Sequence, residues 1–221
     1  MTKRELAQMI DHTNLKADAG VTAIKKLCDE ARRYNFKSVC VNGAQVARCK
    51  EYLAGSGVKI AVVAGFPLGQ NATSVKVAEA RTAIETGANE IDYVLNVADL
   101  KEGRVGMVQT EMEAMTDLCH DHGAVIKVIF ENCYLTKEEI VKAAQIAVRV
   151  RPNFIKTSTG FGTGGATVDD VILMKDTVGS AVSVKAAGGI RDLATARAMI
   201  AAGASRLGVS AGVQIMEEFG E

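Results

Sequence analysis

The chain has 221 residues, 48% of them hydrophobic, so it is long and apolar enough to bury one sizeable core. Its 26 basic residues equal its 26 acidic residues, and the basic ones occur at most in pairs, so we expect neither a nucleic-acid surface nor a polybasic membrane anchor. The first residues lack the apolar run of a signal peptide, and the longest uncharged stretch, 60–75, is broken by Gly, Pro and Asn. We therefore predict a cytoplasmic protein without a membrane span.

Short apolar runs alternate with helix-like segments along the whole chain. The runs predicted to be strands are 9–13, 38–42, 59–66, 90–96, 125–131, 154–160, 183–189 and 206–212. The segments between them have helical patterns; Val21, Ile24 and Leu27 share one helix face, and Thr136 with Glu139 matches a capping box. Eight consecutive β-α units without a linker predict a single-domain α/β fold, a (β/α)₈ TIM barrel over residues 1–221. An open, doubly wound parallel sheet is the alternative.

Metal-binding and disulfide patterns are absent from the sequence. The five cysteines are scattered and contain no CxxC pair, which is typical of reduced thiols. His120 and His122 are two residues apart in a helical pattern and so point to different sides. We expect no metal site and no cofactor.

Charged residues fall on one face of four consecutive predicted strands. Alternation along a strand places Asp92, Lys127, Lys156 and Lys185 on faces that would look into the barrel, together with Glu131. One interpretation is a structural ion network in which the lysines neutralise the carboxylates. The other is that one lysine is kept neutral beside a second ammonium group, as in enzymes that form a Schiff base with a carbonyl substrate. Spacing alone does not rank the three lysines.

Glycine-rich segments follow the seventh and eighth strands, at 186–190 and 208–212. In a (β/α)₈ barrel these two loops often bind a phosphate through backbone N–H groups. The candidate phosphate ligands are Gly188, Gly189, Gly208 and Ser210. Arg191 is a further candidate at the start of the next helix. Simple tight turns are the alternative explanation for either segment alone.

Several motifs together resemble the 2-deoxyribose-5-phosphate aldolase family of the short bacterial type. The matching segments, which span the chain in order, are IDHTNLKADA, SVCVN, AGFPLG, EIDYVLN, FIKTSTGFGTGGAT, VKAAGGIR and GVSAGVQI. The resemblance implies a metal-independent class I aldolase, a carbon-carbon lyase of deoxyribose phosphate catabolism. It would reversibly cleave 2-deoxy-D-ribose 5-phosphate to D-glyceraldehyde 3-phosphate and acetaldehyde.

The same resemblance assigns roles to the charged residues. Lys156 is then the Schiff-base nucleophile, and Asp92 is the residue that donates and accepts protons. Lys185 is the second lysine, which takes part in proton transfer and lowers the pKa of Lys156, and Lys127 is a supporting charge that orders Asp92. We expect a phosphosugar as substrate, neither nucleic acid nor membrane as partner, and a homo-oligomer, either a dimer or a tetramer.

Two other function classes fit the pattern less closely. One is a different lysine aldolase, either transaldolase-like or a keto-acid lyase, and the other is a non-catalytic barrel that binds a phosphosugar through its charges. A separate hypothesis concerns Cys40: if its thiol faces inward, unsaturated aldehydes could inactivate the protein there, whereas a buried thiol would be inert.

Overall fold

The computed structural model describes residues 1–220 and contains one closed barrel of eight parallel strands. The strands are β1 (Ile10–Thr13), β2 (Ser38–Val41), β3 (Lys59–Ala64), β4 (Glu90–Val94), β5 (Val125–Ile129), β6 (Phe154–Lys156), β7 (Ser183–Ala187) and β8 (Arg206–Val209). Each strand pairs with its neighbours in chain order, and β1 closes the barrel against β8. The predicted single-domain barrel is confirmed, and the alternative prediction of an open, doubly wound sheet is wrong.

One short helix precedes the first strand, and helices that cover the barrel follow each of the eight strands. They are α1 (Lys3–Ala7), α2 (Val21–Tyr34), α3 (Val46–Tyr52), α4 (Thr73–Thr86), α5 (Val97–Lys101), α6 (Val105–Asp121), α7 (Lys137–Val150), α8 (Val168–Val178), α9 (Leu193–Ala201) and α10 (Gly212–Glu218). The predicted capping box is present at α7, where Thr136 and Glu139 bond each other's backbone N–H groups. Helix α2 buries Ile24, Leu27 and Cys28 against the sheet. Among residues 1–220, no helix combines the length and apolar character needed to cross a membrane.

All eight predicted strands exist, but most end earlier than predicted. The predicted strand 154–160, for example, ends at Lys156. The residues beyond the observed ends form the loops at the carboxyl side of the barrel, where Gly160 and Gly188 have left-handed backbone angles that end the extended conformation. These loops are the part of a (β/α)₈ barrel in which substrate sites are built.

Two apolar regions flank the strands. The larger one lies between the helices and the outer face of the barrel, and it includes Ile91, Val128 and Val184. A small cluster of Leu15, Cys40, Ala61 and Val63 lies inside the barrel on the side of β2 and β3. The inner wall opposite this cluster carries charged side chains.

Candidate active site

The side chains of seven charged residues meet inside the barrel, and each residue is at most 5% exposed. They are Asp11, Glu90, Asp92, Lys127, Lys156, Lys185 and Arg206. Asp92 lies at the centre, because its Oδ1 accepts from Lys127 Nζ at 2.5 Å and its Oδ2 accepts from Lys156 Nζ at 2.9 Å and Lys185 Nζ at 2.8 Å. The strand register explains the meeting, since Asp92 lies level with Lys127 and Lys156 lies level with Lys185.

Three members of this cluster were missed by the sequence analysis. Glu90 lies two residues before Asp92 on the same strand face, and its Oε2 is 2.6 Å from Lys127 Nζ. Asp11 bonds both Lys185 and Arg206. Glu90 already lies in the predicted strand 90–96 on the same face as Asp92, so alternation alone would have found it, whereas Asp11 depends on closure of the barrel between β1 and β8.

The prediction that Glu131 faces the lysines is wrong. Strand β5 ends at Ile129, and Glu131 adopts a left-handed conformation, with φ of 56° and ψ of 61°, which breaks the alternation of side chains. Its carboxylate turns toward the loop after β6 and bonds Thr159. Within residues 1–220 it forms no ion pair with a lysine or arginine.

The cluster distributes its charges unevenly. Lys127 contacts Glu90 and Asp92, Lys185 contacts Asp11 and Asp92, and Arg206 contacts Asp11 and Glu90. Lys156 contacts Asp92 alone and shares that oxygen with Lys185. Four cations thus face three carboxylates, and Lys156 is the cation with the fewest partners. Its ammonium group therefore has fewer neighbouring carboxylates than that of Lys127 or Lys185.

Two neighbours of Lys156, Asp92 and Lys185, are held in their ionised forms by nearby charges. Burial opposes ionisation of Asp92, but the ammonium groups of Lys127, Lys156 and Lys185 outweigh it and hold the Asp92 pKa well below its usual value. Burial likewise opposes the charge on Lys185, but the carboxylates of Asp11 and Asp92 raise its pKa above the usual lysine value. Lys185 therefore remains an ammonium group beside Lys156.

A cavity of about 590 Å³ opens at the carboxyl ends of β1, β6, β7 and β8. Of the three clustered lysines, only Lys156 lines this cavity; its side chain is 4% exposed, whereas those of Lys127 and Lys185 are 0% exposed. A small molecule that enters the cavity therefore reaches the amine of Lys156 and no other amine of the cluster. Access to the cavity thus distinguishes Lys156 from Lys127 and Lys185, which spacing alone did not.

All four predicted phosphate ligands line the same cavity, as does Arg191. Gly188 is held by the neighbouring loop, since its carbonyl accepts from Ala166 N at 3.0 Å and an added Cβ would lie 3.1 Å from Gly165 Cα. Gly189 has φ of 81°, and an added Cβ would point into open space. Gly208 lies deeper, where an added Cβ would approach Lys185 Cε at 3.1 Å. The cavity thus joins Lys156 to a glycine-rich wall.

Cys40 does face inward, as its hypothesis required, but it is 1% exposed and packs against Leu15, Ala61 and Val63. Burial raises the pKa of its thiol, and the Asp92 carboxylate adds to that effect. Neither access nor thiolate character is present, so the structure favours the inert thiol over the reactive one.

Comparison with known proteins gives the aldolase family that the sequence motifs resemble, and the match extends over the whole barrel. Residues 6–218 match the model of the DeoC/LacD family aldolases. Deoxyribose-phosphate aldolase of Lactobacillus acidophilus is 52% identical and is matched over 98% of this chain and 91% of its own length; that of Thermococcus gammatolerans is also 52% identical, over 98% and 97%. The tetrameric deoxyribose phosphate aldolase of Aeropyrum pernix superposes with a TM-score of 0.92 at 31% identity, covering 99% of this chain and 92% of that one. The chain belongs to the DeoC/LacD family of aldolases.

Proposed function

We propose that the protein reversibly cleaves 2-deoxy-D-ribose 5-phosphate to D-glyceraldehyde 3-phosphate and acetaldehyde through an imine on Lys156. The observation that carries the proposal is the position of Lys156: it has the fewest carboxylate partners of the cluster and is the clustered lysine that lines the cavity. The names of the relatives supply the substrate, since deoxyribose-phosphate aldolases are about half identical to this chain over nearly its full length.

The reaction follows from the chemistry of a buried amine. The neutral amine of Lys156 adds to the C1 aldehyde, and loss of water gives a protonated imine. A base takes the proton of the C3 hydroxyl, the C2–C3 bond breaks, and its electron pair moves toward the iminium carbon to give an enamine. D-Glyceraldehyde 3-phosphate leaves at this point. Protonation at C2 and hydrolysis then release acetaldehyde and restore the amine.

Asp92 and Lys185 surround the nitrogen on which these steps occur. The Asp92 carboxylate, 2.9 Å from Lys156 Nζ, stabilises the positive charge of the iminium and offers an oxygen to protons that leave the nitrogen. Asp92 is fully buried, so we infer that it exchanges protons with the substrate through a water molecule. Lys185 supplies the neighbouring positive charge and a proton, and Lys127 fixes the second oxygen of Asp92 at 2.5 Å.

The 5-phosphate is assigned to the glycine-rich wall. Gly188, Gly189, Gly208 and Ser210 lie at the ends of β7 and β8, where backbone N–H groups and the Ser210 hydroxyl can donate to an anion. Arg191 is exposed at the same edge of the cavity. Because the cavity also contains Lys156, one molecule can place its aldehyde at the amine and its phosphate at this wall.

The proposal extends to assembly and location. The tetrameric relative from Aeropyrum pernix supports a homo-oligomer, either a dimer or a tetramer, for this chain. A cytoplasmic location and independence from metals remain predictions from the sequence.

The test is a cleavage assay with 2-deoxyribose 5-phosphate, in which released acetaldehyde is reduced by alcohol dehydrogenase and the loss of NADH is followed. The wild-type protein should release acetaldehyde, and Lys156→Ala should release none above background, because no other clustered amine reaches the cavity. Lys59→Ala, which removes an exposed lysine at the opposite end of the barrel, is the control and should match wild type. No acetaldehyde release by wild type, with turnover of a keto acid instead, would favour the keto-acid lyase.

A further inference from the structure

Glu131 is a buried residue that takes part in none of the proposed reaction steps. It is 3% exposed, and no lysine or arginine among residues 1–220 lies within ion-pair distance of it. Its backbone is left-handed, with φ of 56°, which is unfavourable for a residue with a side chain. A strained backbone and a buried carboxyl group without a cationic partner at one position are costly, and such features concentrate at functional sites.

Both oxygens of this carboxylate bond a single residue, Thr159. Oε1 accepts from the backbone N–H of Thr159 at 3.1 Å, and Oε2 accepts from its hydroxyl. The same hydroxyl accepts from the backbone N–H of Phe161 at 3.0 Å. One carboxylate therefore fixes the turn from Thr159 to Phe161 through a short chain of hydrogen bonds.

Backbone contacts on both sides of Glu131 tie it to the strand that carries Lys156. Phe130 N donates to the carbonyl of Lys156 at 2.9 Å, and Asn132 N donates to the carbonyl of Thr157 at 2.9 Å. Glu131 lies between these two anchors, so its left-handed conformation aims the side chain at the loop just beyond Lys156.

The turn held by Glu131 is a wall of the cavity. Thr159, Gly160 and Phe161 all line it together with Lys156. The ring of Phe161 is 57% exposed and meets the ring of Phe66 edge-on, with centroids 5.3 Å apart. The loop continues around the carboxylate, since an added Cβ at Gly162 would lie 3.2 Å from Glu131 Cδ.

We propose that Glu131 is a positioning residue for substrate binding: through Thr159 it holds the Thr159–Phe161 wall against the phosphorylated part of the substrate. The inference rests on the proposed function, because it takes the long phosphosugar as the molecule that touches this wall. Acetaldehyde, which needs only the amine of Lys156, depends much less on the wall. Loss of the Glu131 contact should therefore affect KM for the sugar phosphate more than it affects imine formation with acetaldehyde.

The test compares Glu131→Gln with Thr159→Val. Glutamine keeps the shape but has a single acceptor oxygen, so its two end atoms cannot accept from both the N–H and the hydroxyl of Thr159 as the carboxylate does. Valine removes that hydroxyl while leaving the carboxylate in place. Each variant should raise KM for 2-deoxyribose 5-phosphate about tenfold with a smaller change in kcat, as expected for loss of a hydrogen bond to a charged group. Thr159→Ser keeps the hydroxyl, so its KM for 2-deoxyribose 5-phosphate should be close to that of wild type. Glu85→Gln, at an exposed glutamate of α4, is the control with unchanged KM.

The double variant Glu131→Gln with Thr159→Val should be little worse than either single variant, because both remove the same contact. The proposal would be overturned if the increases in KM of the two single variants multiplied in the double variant. It would also be overturned if KM rose no more than kcat fell, or if KM did not change. If Glu131→Gln does not fold, Thr159→Val and Thr159→Ser decide the matter alone. Trapping of the acetaldehyde imine in wild type separates this outcome from failure of the proposed function, since that trapping requires Lys156 and does not require the wall.

Discussion

At the scale of single residues, the site depends on how many partners each charge has. Asp92 receives three lysines, but Lys127 and Lys185 each have a second carboxylate and Lys156 does not. A nucleophilic amine must be neutral when it attacks, so the lysine with the fewest carboxylate partners and with access to the cavity is the natural choice. A purely structural ion network would account for Lys127 and Lys185, but it does not explain why Lys156 is exposed to the cavity.

Gly189→Val should weaken use of 2-deoxyribose 5-phosphate far more than imine formation with acetaldehyde. The added side chain would extend into the open space of the cavity, where the phosphate is assigned. We expect KM for the sugar phosphate to rise about tenfold or more, the size of effect that follows from loss of a charge-assisted hydrogen bond.

The control for this variant is Gly103→Val, between α5 and α6. Gly103 has φ of 72° against 81° at Gly189, and an added Cβ there also meets open space, so it carries similar backbone strain away from the cavity. If Gly103→Val raised KM as much as Gly189→Val, backbone strain would explain the result. If Gly189→Val changed both activities equally, the phosphate would not lie at this wall.

At the scale of elements, a second buried ion pair ties β4 to its covering helices. Lys76 on α4 and Glu111 on α6 lie 2.8 Å apart and are almost fully buried. Lys76 Nζ donates to the carbonyl of Val94, and Glu111 Oε1 accepts from Asn96 N at 3.1 Å. The pair therefore fixes the carboxyl end of the strand that carries Asp92. Burial lowers the pKa of Lys76 and raises that of Glu111, so burial opposes both charges of the pair.

Lys76→Met should destabilise the protein by about 3–5 kcal/mol, because it leaves Glu111 buried without its cation. Urea unfolding measures the loss, and adding Glu111→Leu should recover part of it. Lys25→Met is the matched control: Lys25 pairs with Asp29 at the surface, where side chains are more than half exposed, so its loss should cost less than about 1 kcal/mol. A loss for Lys76→Met no larger than that for Lys25→Met would show that the buried pair does not hold β4.

At the scale of the whole molecule, the barrel brings together residues that are far apart in the sequence. Lys185 and Asp11 are 174 positions apart, yet they bond because β1 closes the barrel against β8. The alternation of side chains correctly predicted that Asp92, Lys127, Lys156 and Lys185 face into the barrel. Placing Asp11 in the cluster required knowledge that the barrel closes between β1 and β8. The predicted inward direction of Glu131 was wrong, because its own left-handed backbone ends the alternation after β5. Distinguishing Lys156 from the other two lysines also required the position of the cavity, which side-chain periodicity does not predict.

Asp11→Asn should destabilise the protein by about 3–5 kcal/mol at pH 7, because it removes the counter-ion of Lys185 and Arg206. Burial opposes ionisation of Asp11, but Lys185, Lys127 and Arg206 lower its pKa below the unfolded value of 3.8. The lowered pKa gives wild type a contribution to stability that is complete above pH 3.8 and is lost as the pH falls toward the folded-state pKa.

Urea unfolding of wild type and Asp11→Asn at pH 7 and pH 3 tests the sign of this effect. The difference in unfolding free energy should narrow below pH 3.8 by up to about 1.4 kcal/mol per pH unit, because unfolded wild type takes up a proton that the variant cannot. A difference that stays constant or widens at acid pH would contradict the ionised state of Asp11.

The most direct test of the account is identification of the residue that forms the imine. The protein is mixed briefly with a small excess of acetaldehyde, reduced with borohydride, and examined by intact mass and peptide mapping. We predict one added ethyl group per chain, located on Lys156, and none on the Lys156→Ala protein treated in the same way. An adduct on Lys127 or Lys185, or the same labelling in wild type and Lys156→Ala, would contradict the assignment of Lys156 as the nucleophile.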